Sequence, residues 1–125
     1  MSVPPFTILY VSNPVRSALF YRELFGRPPV EASATFAMFV FESGARLALW
    51  ASATVDPAVT QVAGAMELAF PLPDEASVDS GLAEWQTRGL TIIQQPTRMA
   101  FGYTAMALDP DGHRLRLYCL APELG

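Results

Sequence analysis

Few residues in this chain are equipped for covalent chemistry. There is one histidine, His113, one cysteine, Cys119, and eight arginines with no lysine. No serine or cysteine stands in a nucleophile-elbow or Cys-His context. No glycine loop is arranged to cradle a phosphate. His113 sits at a turn exit, where turn packing or a hydrogen bond accounts for it. Cys119 has no partner for an internal disulfide and reads as a core or edge residue. The acidic residues Asp74, Glu75 and Asp79 read as charge at a helix N-terminus, complementing its dipole. What remains is a pattern of rings, guanidinium groups and small residues. Alternation along the hairpin strands groups Ala37, Phe39, Arg46, Ala48 and Trp50, and separately Tyr103, Ala105, Ala107, Arg114, Arg116 and Tyr118. The alanines leave room, the aromatics offer flat surfaces and the arginines add charge. Such a face suits noncovalent binding of a planar, partly anionic organic molecule. A half-exposed sheet face or a dimer contact would carry the same pattern.

These residues must be held by strands, and the chain marks them twice. Asp109-Pro110-Asp111-Gly112-His113 is a tight turn that opens the strand Arg114-Leu115-Arg116-Leu117-Tyr118. The same pattern occurs 68 residues earlier, where Gly44, Arg46, Leu47, Leu49 and Trp50 match Gly112, Arg114, Leu115, Leu117 and Tyr118. Two copies of one small unit follow, with function expected in a site built from both.

Each copy has the same element order. Phe6 to Val11 is a strand. Asn13-Pro14 supplies a helix cap and a proline at the first helical position. Ser17, Phe20, Tyr21 and Leu24 fall on one helical face, and Gly26 ends that helix. Thr35 to Phe41 and Arg46 to Trp50 are strands, and the stretch from Ala51 reads as a connector, about 52–64. In the second copy Met66 to Leu72 is a strand and Pro73-Asp74 leads into a helix with Val78, Leu82 and Trp85 on its apolar face. Gly89 closes it, Thr91 to Gln95 is a strand ended by Pro96, and Tyr103 to Leu108 with Arg114 to Leu120 form the last hairpin. The expected modules are about 5–51 and 65–121. The fold class is α+β: two βαβββ modules forming an open, cavity-enclosing sheet, with Met38, Val40, Leu47, Leu49, Met106, Leu108, Leu115 and Leu117 packed under the helices.

Bulk composition excludes several functions. At 125 residues and 51% apolar content the chain can bury a core. A net charge of −4 and a pI near 4.8 give no basic footprint for nucleic acid. No apolar run is long enough to span a membrane, and the N-terminus lacks a signal-peptide pattern. With a single cysteine, these features point to the cytoplasm.

Leu9-Tyr10-Val11-Ser12-Asn13 leading to Ser17-Ala18-Leu19-Phe20-Tyr21 and Leu24-Phe25-Gly26, with the Asp109 to His113 turn, resembles the vicinal oxygen chelate superfamily of glyoxalase I, extradiol dioxygenases and fosfomycin- and bleomycin-resistance proteins. The likeness covers essentially the whole chain. Tyr10 to Asn13, Leu47 to Trp50, Glu67, Leu72-Pro73, Glu84-Trp85, Phe101-Gly102, Asp109 to His113 and Arg116 further resemble its phenazine-antibiotic resistance members, which bind planar aromatic antibiotics as homodimers without converting them.

The resemblance implies a ligand site of Trp50, Phe39, Ala48, Glu67, Tyr103, Arg116 and Tyr118, with Trp50 at the place of a tryptophan that stacks on the ligand. Superfamily enzymes hold a divalent metal at four pseudo-equivalent places, which fall here on Phe6, Ala48, Glu67 and Arg116. Only Glu67 can ligate, so no metal, cofactor or catalytic residue is expected. If the mapping holds, Glu67 and Arg116 share one region, where they orient a ligand carboxylate or amide or simply pair with each other. The implied function is metal-free sequestration of a phenazine- or anthraquinone-like antibiotic by a cytoplasmic homodimer. The alternatives are a lyase, isomerase or dioxygenase of the same superfamily, with Glu67 as general base or a metal held elsewhere, and an accessory protein that binds a biosynthetic intermediate.

Overall fold

The computed structural model describes residues 6–124. The chain divides between Gln61 and Val62 into two compact units. The first runs β1 (Thr7–Val11), α1 (Pro14–Phe25), β2 (Glu31–Ala32), β3 (Phe36–Val40) and β4 (Arg46–Ala51), followed by a single 3-10 turn, Ser52–Thr54. The second runs β5 (Glu67–Pro71), α2 (Glu75–Thr87), β6 (Thr91–Met99), β7 (Gly102–Leu108) and β8 (Arg114–Leu120). Each unit is strand, helix and three strands, as the repeat in the sequence predicts.

Local chemistry fixes the helix starts. Asn13 Oδ1 accepts from the backbone amides of Val15 and Arg16, at 3.1 and 3.3 Å, and Pro14 occupies the first turn. Gly26 then adopts φ 66°, the left-handed cap that ends α1. In α2 the cap is Asp74, whose Oδ1 accepts from the backbone amide of Ser77 at 2.7 Å.

Both sheets have the same topology, in the orders β1-β4-β3-β2 and β5-β8-β7-β6. In each, the first strand runs parallel to the last and the remaining pairs are antiparallel. The 68-residue repeat holds at the level of register: Phe36 lies opposite Trp50, and Thr104 opposite Tyr118.

Each unit builds its core between one sheet face and its own helix. In the first, Leu9, Val11, Ala37, Phe39, Leu47 and Leu49 are buried together with Ser17, Ala18 and Tyr21 of α1. Phe25 of α1 sits edge-to-face on Phe39 with centroids 5.5 Å apart, and stacks on Tyr21 at 5.4 Å. In the second, Val78, Leu82 and Trp85 of α2 are buried with Ala105, Ala107, Leu115 and Leu117, and Phe70 meets Trp85 edge-on at 6.2 Å.

Register corrects part of the expected face assignment. Residues directly opposite in an antiparallel pair share a face. Ala37 pairs with Leu49 and Phe39 with Leu47, so both lie on the α1 face, while Met38 and Val40 pair with Ala48 and Arg46 on the other. In the second sheet Tyr103, Ala105 and Ala107 pair with Cys119, Leu117 and Leu115, on the α2 face. Met106 and Leu108 pair with Arg116 and Arg114 on the helix-free face. A second difference concerns Pro96. The strand does not end there: β6 continues to Met99, with register shifts between Ile92 and Gln94 and between Gln94 and Thr97. A proline is tolerated because β6 is an edge strand and bulged.

Candidate functional site

On the helix-free face of the second sheet, each of the four strands contributes one polar side chain to a single network. Glu67 comes from β5, Arg116 from β8, Thr104 from β7 and Gln94 from β6. The network is centred on Arg116. Its Nε donates to Glu67 Oε1 at 2.6 Å and its Nη2 to Glu67 Oε2 at 3.2 Å, a two-pronged carboxylate contact. Its Nη1 donates to Thr104 Oγ1 at 2.9 Å and to Gln94 Oε1 at 3.4 Å. Thr104 is fully buried and its hydroxyl donates a hydrogen bond to the Leu117 carbonyl, 2.8 Å away. The Arg116 side chain is 17% exposed and that of Glu67 35%. The structure thus brings together the two charged residues that the sequence places in one region.

Aromatic rings flank this network. The Arg116 guanidinium lies 5.8 Å from the Phe101 ring centroid, and Phe101 meets Tyr118 edge-on at 6.5 Å. Tyr118 also lines a cavity of about 740 Å³ within the second unit, with Pro71, Pro73, Met99, Tyr103 and Leu120 among the other walls. That volume falls in the range of small-molecule pockets. Tyr103 enters it from the α2 side of the sheet. Its hydroxyl donates to Asp79 Oδ1 of α2 at 2.7 Å, which raises its pKa by favouring the protonated phenol. Arg98 lies over the same ring at 5.3 Å and forms a two-pronged pair with Glu75, whose carboxylate raises the guanidinium pKa further.

In the first unit the helix-free face is largely apolar. Trp50 is half-buried, with Tyr10 of β1 edge-on at 6.3 Å and an interplanar angle of 75°. Ala48 is fully buried between Ile8 and Met38 in the ladder. Phe6, Ile8 and Tyr10 remain 40–44% exposed. Phe39 is not part of this surface. It is completely buried beneath α1 and is a core residue, not a slot wall.

The turn motif has a structural role. Asp109 Oδ1 accepts from the amides of Asp111 and His113, both at 2.8 Å, and the Asp109 amide donates to the His113 carbonyl at 2.9 Å. Thr104, Gln94 and Phe101 are additional members of the polar network and its surround. Thr104 carries a signal: it is the one serine or threonine in the run Gly102–Leu108, at the parity of Arg116. Gln94 carried none, because its approach depends on the β6 bulges.

The four places where superfamily enzymes hold metal fit no metal here. Phe6 and Ala48 offer no lone pair, and the Arg116 guanidinium stays protonated. Both Glu67 oxygens accept from Arg116. Among the described residues no three of His, Cys, Asp and Glu come together in a group able to hold a metal ion.

The paired βαβββ units and the shared register define a glyoxalase-type α+β protein. The family model of the Glyoxalase/Bleomycin resistance protein/Dioxygenase superfamily matches residues 4–117, and the chain belongs to that superfamily. It is 31% identical over 117 residues to the phenazine antibiotic resistance protein EhpR of Enterobacter agglomerans, spanning 91% of this chain and 89% of that one. Among solved structures it is similar to protein ATC0852 of Agrobacterium tumefaciens, with 49% identity, a TM-score of 0.89 and coverage of 97% and 99% of the two chains. A glyoxalase-related enzyme of Fulvimarina pelagi shares the fold, with 24% identity, a TM-score of 0.82 and coverage of 95% and 88%. Among the described residues no helix is long and apolar enough to cross a membrane.

Proposed function

We propose that this chain is a metal-free binding protein that sequesters a planar aromatic antibiotic of phenazine or anthraquinone type, as a cytoplasmic homodimer, and so confers resistance. The observation that carries the reading is the closed Glu67–Arg116 pair. Glu67 and Arg116 stand at two of the four places that the superfamily resemblance gives to metal ligands, and here they pair with each other, each Glu67 oxygen accepting a hydrogen bond from Arg116. The likeness to a phenazine resistance protein supports the ligand class. Trp50, beside Tyr10 and over the small residue Ala48, is the stacking surface of the first unit. Arg116 and Tyr118 supply a polar and an aromatic contact in the second.

The mechanism is retention, not bond breaking. An aromatic contact adds about 0.5–1.5 kcal/mol beyond area burial. Several of these, with apolar burial, reach the roughly −8 kcal/mol of a micromolar complex. An accessory role in a biosynthetic pathway would use the same surfaces.

The test is a titration with phenazine while tryptophan fluorescence is followed, then mass spectrometry of the ligand after long incubation. Quenching with the ligand recovered unaltered is expected, and a converted ligand would make the protein an enzyme. Light scattering at micromolar concentration is expected to give the mass of a dimer. Expression in a sensitive host separates resistance from an accessory role, since only the former raises tolerance to the antibiotic.

A further inference from the structure

We propose that the cavity of about 740 Å³ in the second unit is a separate binding site, and that it takes a small organic cation, an ammonium carried on an apolar body. Only Tyr118 is shared with the surfaces assigned above to the aromatic antibiotic, and the two sites stand or fall independently.

One row of the second ladder runs through the cavity lining. Arg98 of β6, Tyr103 of β7 and Cys119 of β8 lie opposite one another, on the side of the sheet that carries α2. The first two turns of α2 reach this row. Glu75 pairs with Arg98, and Asp79 accepts from the Tyr103 hydroxyl. Two further segments complete the walls. One is the passage from β5 into α2, where Pro71 and Pro73 restrict the backbone. The other is the turn after β8. The Ala121 amide ties it to the Phe101 carbonyl at 2.9 Å, and the Leu124 amide closes it on the Ala121 carbonyl at 2.8 Å. Restrained backbone thus frames the cavity, so a ligand meets a site that is already formed.

The lining sets the ligand class. Met99, Leu120 and Pro122 join the two prolines in offering surface to an apolar body. Of the four charged side chains, three are the carboxylates of Asp74, Glu75 and Glu123, and one is the Arg98 guanidinium. Arg98 is taken up by Glu75 in a two-pronged contact. Among the described residues no cation pairs with Asp74 or Glu123. The Ser77 hydroxyl and amide both donate to Asp74 Oδ1 and hold its carboxyl below the ordinary value, so it is ionised at neutral pH. An anionic ligand would meet these carboxylates with the one guanidinium already paired. A neutral ligand would gain the apolar surface alone. A cation gains the surface and the charge. Asp74 and Glu123 are exposed, so solvent and salt limit the gain from charge.

The experiment is an NMR titration of the full-length, isotope-labelled protein near neutral pH and at one ionic strength. Four probes are compared. Phenyltrimethylammonium is the cation, and tert-butylbenzene has its shape with carbon in place of the charged nitrogen. Benzenesulfonate is of similar size and opposite charge, and tetramethylammonium carries the charge without the ring. Phenyltrimethylammonium is expected to shift the amides of Asp74, Glu75, Tyr103 and Leu120, and to bind about fivefold tighter than tert-butylbenzene, on the scale of two exposed ion pairs. The double variant Asp74→Asn, Glu123→Gln keeps the cap oxygen of α2 and should reduce that advantage to about twofold or less. Glu84→Gln, at the far end of α2, should leave it unchanged. Binding of tert-butylbenzene or benzenesulfonate at these amides as tightly as the cation overturns the inference. So does tetramethylammonium binding as tightly as phenyltrimethylammonium, because the apolar walls then play no part. Silence of the cavity amides toward all four probes overturns the site itself. The wild-type comparison decides even if the double variant fails to fold, and none of these outcomes bears on phenazine binding followed through Trp50.

Discussion

Trp50 and Tyr118 occupy the same place in the two sheets. Trp50 lies between Tyr10 and Phe36 in its ladder, and Tyr118 between Pro71 and Thr104. A ring thus stands at the same register position on both helix-free faces, but the neighbours differ. Around Trp50 they are aromatic. Beside Tyr118 stands the buried hydroxyl that anchors Arg116. One unit carries an apolar surface at this place and the other a polar network.

Trp50→Ala should weaken binding of phenazine by about 1–3 kcal/mol, by analogy with alanine substitutions at stacked bases. It should also abolish most of the fluorescence quenching. Trp85 should report little, because it is 8% exposed and packed on Phe70. Unchanged affinity in the variant, with native circular dichroism, would exclude Trp50 from the site.

Thr104→Val keeps the side-chain shape but removes the partner of both Arg116 Nη1 and the Leu117 carbonyl. The loss leaves polar groups unsatisfied, at a cost of about 1–3 kcal/mol. Urea unfolding should show a lower midpoint with an unchanged slope.

Gly102→Ala should be among the most disruptive single changes. Gly102 has φ 149°, and a Cβ there would stand 2.1 Å from the Cys119 carbonyl oxygen and 2.8 Å from the Ala121 nitrogen. Both are backbone atoms, so no side chain can swing aside. A loss of about 2 kcal/mol or more is expected, read as a drop in the thermal midpoint.

Asp74 gives a pH dependence with a definite sign. Its hydrogen bonds from the Ser77 hydroxyl and amide hold its pKa below the ordinary carboxylate value. The stabilisation is therefore fully present above the unfolded value, about 3.9, and is lost as pH falls through the lower folded value. Asp74→Asn, which keeps an acceptor oxygen but cannot titrate, should flatten this part of the acid unfolding curve. An identical acid limb in wild type and variant would rule the cap out as its source.

The parts legible in the sequence are those set by local rules. Asn13-Pro14 and Gly26 marked both ends of α1, and Asp74 the start of α2, because caps act over a few residues. Glu67 and Arg116 fall together through the superfamily resemblance, at two of the places where its enzymes hold metal, not through any local pattern. Facing was harder. In β3, Phe36-Ala37-Met38-Phe39-Val40 is apolar throughout, so alternation carries no sign. Parity came from the hairpin, where the Phe41 amide bonds the Ala45 carbonyl and sets Val40 opposite Arg46. That single step of register sent Phe39 into the core. The same arithmetic in the second hairpin put Tyr103 on the α2 side. Gln94 reaches Arg116 through a bulged strand, a long-range result that no local pattern announces.

Pro96 has a consequence for how copies of this chain can meet. Lacking an N–H, and set among two register shifts on the outermost strand of its sheet, it removes β6 as a template for another backbone. Growth of the sheet by edge-to-edge addition is blocked on that side, and with it one route to fibrillar aggregation.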